Sequence, residues 1–401
     1  MRDPPSSLNY KSNVVLAQGE YSALGEIRVV IRVIRIKAVR GRGAGRSTFG
    51  SFSMRCICAV IIALASVASS LPAQAARSVD TARTATRADS ARAPARKDYS
   101  APLGAPYTAY DVTIPTPMGH TLVGTLTLPN GASATNKVAA VVTMTGSGPQ
   151  DRDETLNTPP GYRPFRQFAD SLGRRGIAVL RMDDRGTGGS TGNHRTATSA
   201  DFAEDIRAGL AYLRTRPEID ANRLGLLGHS EGGLIGPLVA VKEPQLRAMA
   251  LLAAPSWGGR RILEFQLNNM ARGDTSLRGA KLDSALARIP HRIDSLRASN
   301  VWMKFFLDHD VLAVARQVKT PILLVFGGTD QQVTPEQAAE LTAAIKSGGN
   351  QDVTTHVFPD LNHLFIYDPV GFPGGYGRLT RSSVEPPVIG TVTEWFLQRL
   401  K

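Results

Sequence analysis

From Tyr107 onward the apolar positions follow a regular plan. Tyr110–Ile114 and Thr121–Leu128 alternate apolar and polar residues about a turn at Gly119, and predict two paired strands. Val138–Thr145 is a continuous, Val-rich apolar run, the composition of a strand buried on both faces. Pro164–Arg175 places Phe165, Phe168, Ala169 and Leu172 on one helical face, and Gly176 stops it. The alternation continues with strands at Ile177–Met182, Arg223–Leu227 and Ala248–Ala253, and helices at Ala200–Arg214 and Gly232–Val241. Strands and helices in turn build a mostly parallel central sheet covered by helices on both faces, an α/β fold. After Pro255 the plan breaks. Ile262–Arg272, Gly279–Ile289 and Val301–Val314 read as helices, so residues 256–316 are expected to form a helical cap over the carboxyl ends of the strands. Strand Ile322–Phe326, helix Pro335–Lys346, strand Val353–Phe358 and helix Pro387–Leu400 then resume the sheet.

The chain ahead of this region has a different character. Residues 54–75 read MRCICAVIIALASVASSLPAQA: a short basic start, an apolar stretch from Ile57 to Val67, and a small-x-small site at Ala73-Gln74-Ala75. This is the pattern of a cleaved signal peptide. The apolar stretch is shorter than the ~20 residues that span a bilayer, and its polar flank offers no stop-transfer signal. Cleavage after Ala75 is therefore expected over retention as an anchor. The mature protein is expected to be exported, periplasmic or secreted, with no integral membrane span. Cys56 and Cys58, the two cysteines, would leave with the signal peptide. Residues 1–53 precede Met54 with a basic-apolar run from Ile27 to Lys37. They are expected to be an upstream extension from a mis-assigned gene start rather than an unusually long basic leader. Residues 76–105, rich in Ala, Arg, Ser, Thr and Pro, hold too little apolar surface to offset ordering entropy and predict a disordered linker. The folded α/β domain is then expected over residues 106–401.

Charge changes the picture only at the N-terminus. The 401 residues carry a net charge of +13. Residues 1–100 hold 16 Lys and Arg against 6 Asp and Glu, which leaves 31 against 28 for the remainder. The body is nearly neutral, so nucleic acid is not an expected partner.

Gly228-His229-Ser230-Glu231-Gly232 fits the G-x-S-x-G nucleophile elbow. Its context supports it: strand residues Leu224–Leu227 precede it and Gly232-Gly233-Leu234-Ile235 opens a helix. A turn this tight strains the serine backbone and leaves no room for a Cβ at the flanking glycines. A serine hydroxyl needs a base, and the base an orienting acid. Asp330 follows the strand Leu323–Phe326, and His363 lies on the loop after the last strand; no other histidine has that placement. Asp360, three residues before His363, is a rival acid better read as a turn residue. The oxyanion donors are expected to be the N–H of Glu231 and that of Ser147, with those of Gly146 and Gly148 in the same loop as the alternatives to Ser147. Asp151, Arg152 and Asp153 are expected to brace that loop by salt bridges. Asp183–Ser190 lacks the G-x-G-x-x-G spacing of a dinucleotide loop and predicts a structural loop with a paired Arg185. No cofactor and no metal are expected, since no H-x-x-x-H or Asp/His cluster appears.

The elbow, the Asp183–Ser190 loop, Gly146-Ser147-Gly148-Pro149-Gln150-Asp151-Arg152-Asp153 and Leu361-Asn362-His363-Leu364-Phe365 together resemble bacterial α/β-hydrolases. The resemblance lies near carboxylesterases, dienelactone-hydrolase-like and serine-aminopeptidase-like proteins and covers residues 107–401. It implies the α/β-hydrolase fold, Ser230, Asp330 and His363 as a catalytic triad, and the Gly146–Gly148 loop as oxyanion hole. The Gly/Pro-rich insert Asp368–Arg378 departs from the pattern, so substrate class is not carried over.

The expected function is hydrolysis of small or medium carboxylic esters through an acyl-serine. A peptidase or aminopeptidase with the same triad ranks second, no propeller-like repeat being visible ahead of the catalytic region. A non-catalytic binding module on this scaffold ranks third. Mass spectrometry of the protein from its native host is expected to find an N-terminus at Ala76; any peptide from residues 1–53 would overturn the reading of that stretch.

Overall fold

The computed structural model describes residues 97–401. The expectations for residues 1–53, the signal peptide and the linker up to residue 96 lie outside the described residues, as do both cysteines.

Eight strands form one sheet in the order β1(Tyr107–Pro115), β2(Thr121–Pro129), β6(Ala178–Met182), β3(Val138–Met144), β7(Ile219–His229), β8(Ala248–Leu252), β9(Ile322–Gly327) and β10(Val353–Phe358). β1 and β2 pair antiparallel, β2 meets β6 antiparallel, and every remaining pairing is parallel. β3, β6, β8 and β9 are buried along nearly their whole length, which is why they read as continuous apolar runs. β4(Leu156–Asn157) and β5(Pro160–Tyr162) form a separate small ribbon. Helices α1(Pro164–Arg174), α2(Ser199–Thr215), α3(Gly232–Lys242), α9(Gln337–Ser347) and α10(Pro386–Arg399) cover the sheet. Phe165, Phe168 and Leu172 of α1 are buried as the helical spacing requires. This is the α/β-hydrolase arrangement.

Between β8 and β9 the chain makes five helices: α4(Gly259–Gly273), α5(Ala280–Ala287), α6(Ile289–Ser299), α7(Val301–Asp308) and α8(Val311–Ala315). They share an apolar cluster of Ile262, Leu263, Leu267, Ile289, Ile293, Met303, Phe306 and Val311, joined to the body through Leu234 of α3. One helix, α6, is not among those expected, and the expected helix Val301–Val314 is divided. Pro290 stands in the first turn of α6 and so starts a new helix, where the expected helix Gly279–Ile289 ends. Asp310 separates α7 from α8, its side chain accepting the Ala313 N–H as an N-cap.

Residues 97–105, expected to belong to the linker, are docked on the body. The guanidinium of Arg152 lies 4.3 Å from the Tyr99 ring centroid, and that of Arg163 5.5 Å. Arg163 and Arg166 donate to the Asp98 carbonyl at 2.9 and 2.8 Å. Low hydrophobicity is offset here by arginines supplied from 50 to 70 residues away, which no local reading includes.

Buried ion pairs brace the loops at the carboxyl ends of the strands. Arg152 donates to both oxygens of Asp183, at 3.0 and 2.8 Å, and to Asp111 at 2.9 Å. Asp153, fully buried, accepts from Arg181 and from Arg163. Burial, together with the charge of Arg152, pulls the Arg181 guanidinium down to about 10. Arg185 pairs with Asp205. Asp153→Ala would strand Arg181 as a buried charge and is expected to lower stability by about 3–5 kcal/mol, read by urea unfolding.

Candidate active site

β7 ends at His229 and α3 begins at Gly232, so Ser230 sits at the turn between them. Its backbone is left-handed, φ +55°, a conformation that costs a non-glycine residue free energy. Two bonds hold it there: the Ser230 N–H donates to the Leu252 carbonyl at 2.9 Å, and the Gly233 N–H to the Ser230 carbonyl at 2.8 Å. The flanking glycines are steric necessities. A Cβ on Gly228 would lie 2.5 Å from the Gly232 oxygen, on Gly232 2.3 Å from the Met144 oxygen, and on Gly233 2.5 Å from the Ala254 Cβ.

The structure brings Asp330 and His363 to this serine. His363 Nε2 lies 3.0 Å from Ser230 Oγ, and His363 Nδ1 lies 2.7 Å from Asp330 Oδ2. Asp330 follows β9, and its other oxygen accepts the N–H groups of Gln332 at 2.7 Å and Val333 at 3.0 Å. A carboxylate so held directs the His363 Nδ1–H and leaves Nε2 to accept the serine proton. Asp360 is exposed in the turn after β10 and is not the partner of His363.

The loop bearing His363 is held from several sides. The buried Asn362 side chain accepts the N–H groups of Leu364 at 2.9 Å and Ile366 at 3.2 Å. Tyr162, from the small ribbon, donates its hydroxyl to the Leu364 carbonyl at 2.9 Å. Tyr376, in the 3₁₀ turn Pro373–Arg378 of the insert after the histidine, is buried, and its hydroxyl oxygen accepts from Gln332 Nε2 at 3.5 Å. Burial pushes the Tyr376 hydroxyl well above its ordinary range, so it stays protonated. Sequence reasoning did not assign Tyr162 or Tyr376 to the site; their partners lie far along the chain or in the departing insert.

The loop expected to supply an oxyanion donor follows β3. Among the described residues the N–H groups of Ser147 and Glu231 donate to no protein acceptor. Gly146 differs from the expectation that it is a spare donor: its N–H is directed to Glu154 Oε1 at 3.3 Å. Its contribution is close approach, a Cβ there meeting Ser230 Cβ at 3.4 Å and Glu154 Oε1 at 2.8 Å. Gly148, at φ +92°, provides the turn that returns the loop. Half-buried Asp184 ties the loop down, accepting from Thr145 Oγ1 at 2.9 Å and the Gln150 N–H at 2.8 Å. Asp151, Arg152 and Asp153 face their ion-pair partners, as bracing residues do.

The cap reaches the elbow at one polar contact. Trp302 Nε1 of α7 donates to Glu231 Oε1 at 2.6 Å, and Ser199 Oγ donates to the same oxygen at 2.6 Å. Burial raises the Glu231 carboxyl above its ordinary value, while the bonds from Ser199, Trp302 and Ser147 oppose that rise. Trp302 and Phe305 are half-buried; Trp302 stacks on Phe306 at 5.3 Å between ring centroids. Among the described residues no group of three His, Cys, Asp or Glu is placed to hold a metal ion, and no helix is long and apolar enough to cross a membrane.

Residues 162–370 match the family described as serine aminopeptidase, S33. The chain is 28% identical over 295 residues to the esterase EstD of Thermotoga maritima, covering 69% of this chain and 66% of that protein. It is 24% identical over 200 residues to the acylamino-acid-releasing enzyme of Rattus norvegicus, of which it spans only 26%. Among solved structures, a hypothetical protein of Pseudomonas aeruginosa superposes with a TM-score of 0.51 at 16% identity, covering 74% of this chain and 95% of that one. That likeness is one of fold.

Ser230→Ala is expected to lower kcat by ~10⁴–10⁶-fold with the fold intact, His363→Ala by as much, and the double variant by little more. Asp330→Asn should cost up to ~10⁴-fold by favouring the wrong imidazole tautomer. Asp360→Asn should change kcat by less than about tenfold, as befits an exposed turn residue. Steady-state kinetics on one ester checks all five.

Proposed function

The chain belongs to the serine aminopeptidase S33 family, and within it we propose that this protein hydrolyses small or medium carboxylic esters through an acyl-serine intermediate. The observation that carries the reading is the continuous relay from Asp330 through His363 to Ser230, at 2.7 and 3.0 Å. Ser230 Oγ attacks the ester carbonyl while His363 Nε2 takes its proton. The N–H groups of Ser147 and Glu231 receive the developing oxyanion. His363 then gives its proton to the leaving alcohol. Water repeats the sequence in reverse and frees the acid. Asp330 fixes the imidazole tautomer and stabilises the imidazolium without itself taking the proton.

Two points favour ester over aminopeptidase substrates. The esterase is the relative matched over the larger share of both chains. Glu231, the acid next to the nucleophile in the chain, is buried and its Oε1 is bonded to Ser199 and Trp302, so it does not present an exposed carboxylate to a substrate ammonium. The signal-like segment at residues 54–75 supports a site of action outside the cytoplasm, periplasmic or secreted.

A panel of p-nitrophenyl esters of rising acyl length, run beside aminoacyl-anilides, tests the proposal. Esters are expected to give the higher kcat/KM. Faster turnover of the anilides would make the protein an aminopeptidase, and no turnover of either would remove the catalytic reading.

A further inference from the structure

His229 is the residue of the elbow that precedes the nucleophile, and its side chain is buried in the protein. It is 3% exposed. Nδ1 lies 2.7 Å from Glu154 Oε1, and Nε2 lies 2.9 Å from the main-chain carbonyl oxygen of His363. A carbonyl can only accept, so Nε2 carries a hydrogen. A carboxylate also only accepts, so Nδ1 carries one too. Glu154 Oε1 in addition takes the Gly146 N–H at 3.3 Å. Glu154 is buried and stands at φ +56°, and its Oε2 has no hydrogen-bond partner among the described residues. A strained backbone and an unpartnered buried oxygen are both costly, and they coincide at the residue that binds His229.

We propose that Glu154 and His229 form a buried carboxylate–imidazolium pair that positions the base loop and the oxyanion loop relative to each other. The inference rests on the hydrolase reading above and names two positioning residues for it. Through His229 the pair holds the His363 carbonyl; through Glu154 it holds the Gly146 N–H; and His229 is bonded covalently to the nucleophile. One pair thereby ties together the three loops whose mutual placement sets the reaction geometry. The His229 ring also packs at 4.9 Å on the His363 ring and edge-on to Phe365 at 6.1 Å.

The charged groups facing His229 are Glu154 on the oxyanion loop and Asp330 after β9, with the His363 ring beside it and the Tyr162 hydroxyl near Glu154. Burial works against the imidazolium, but Glu154, the His363 carbonyl and Asp330 together raise its pKa above the ordinary histidine value. A raised folded-state pKa means the pairing is fully present at low pH and is lost as pH rises through that value. A neutral imidazole has a single N–H, so deprotonation must release either the His363 carbonyl or Glu154. The pair therefore predicts an alkaline fall in kcat that does not arise from His363 itself.

Glu154→Gln tests this, because it keeps the size of the side chain and an acceptor for Gly146 while removing the counter-charge. In the variant the alkaline fall is expected to move to lower pH, with kcat down roughly 10–100-fold on the alkaline side, by analogy with metal-bound histidines that lose their outer partner, and recovering as pH is lowered. KM should change little. A folded variant whose kcat drops equally at every pH, or whose pH profile is unaltered, overturns the proposal. Long-range ¹H–¹⁵N correlation on the full-length wild-type protein is the second arm. Both ring nitrogens of His229 are expected to be protonated at neutral pH, and a single neutral tautomer overturns the pair. This arm needs neither turnover nor a folded variant, so it separates failure of the pair from failure of the hydrolase reading.

Discussion

A serine held in a left-handed conformation between a strand and a helix is the constraint around which this molecule is arranged. At φ +55° Ser230 is strained, and nothing in the residue itself favours that state. The sheet imposes it. β7 is paired on one side with β3 and on the other with β8, which fixes the strand end. α3 must start at once to cover the sheet, and Gly232 and Gly233 let it pass within contact of Met144 and Ala254. The strain is therefore carried by the most buried part of the fold, and the hydroxyl is presented at the carboxyl edge, where the loops meet.

Those loops are held by charge rather than by apolar packing. Arg152 with Asp183, Arg181 with Asp153 and Arg185 with Asp205 are all buried pairs. Such pairs contribute little net stability compared with apolar replacements, because desolvation offsets their attraction. What they add here is direction. A guanidinium bonded to both oxygens of a carboxylate fixes orientation as well as distance. The oxyanion loop runs directly into Asp151–Asp153, so its position is set by these pairs.

The cap is joined to this frame by a different chemistry. Its own cluster of Ile262, Leu267, Ile293, Met303 and Phe306 is apolar, yet it meets the elbow at the Trp302–Glu231 hydrogen bond. Glu231, next to the nucleophile in the chain, thus has a carboxyl that answers to the cap and to Ser199. A displacement of α7 would be felt at the residue that follows Ser230.

The alternation of strands and helices, the elbow, Asp330 and His363 were legible in the sequence for a physical reason. Strands buried on both faces must be apolar throughout, and the turns that follow them carry the chemistry, so position relative to a strand end is written locally. β7 nevertheless begins at Ile219 rather than Arg223, because Ile219 pairs across to Val138 before an irregularity in the register. Residues 97–105 dock where composition alone predicts a linker, because Arg152 and Arg163 supply the partners for Tyr99. Glu154 meets His229 from 75 residues away, His229 meets the His363 carbonyl from 134, and Trp302 meets Glu231 from 71. No periodicity or motif encodes such pairs, since a buried polar group is satisfied by whichever distant group the closed sheet brings to it. The sequence by itself determined the layered fold and the three residues of the relay. Only the tertiary structure decided which buried charges hold them in register, because those contacts exist only after the loops at one edge of the sheet have converged.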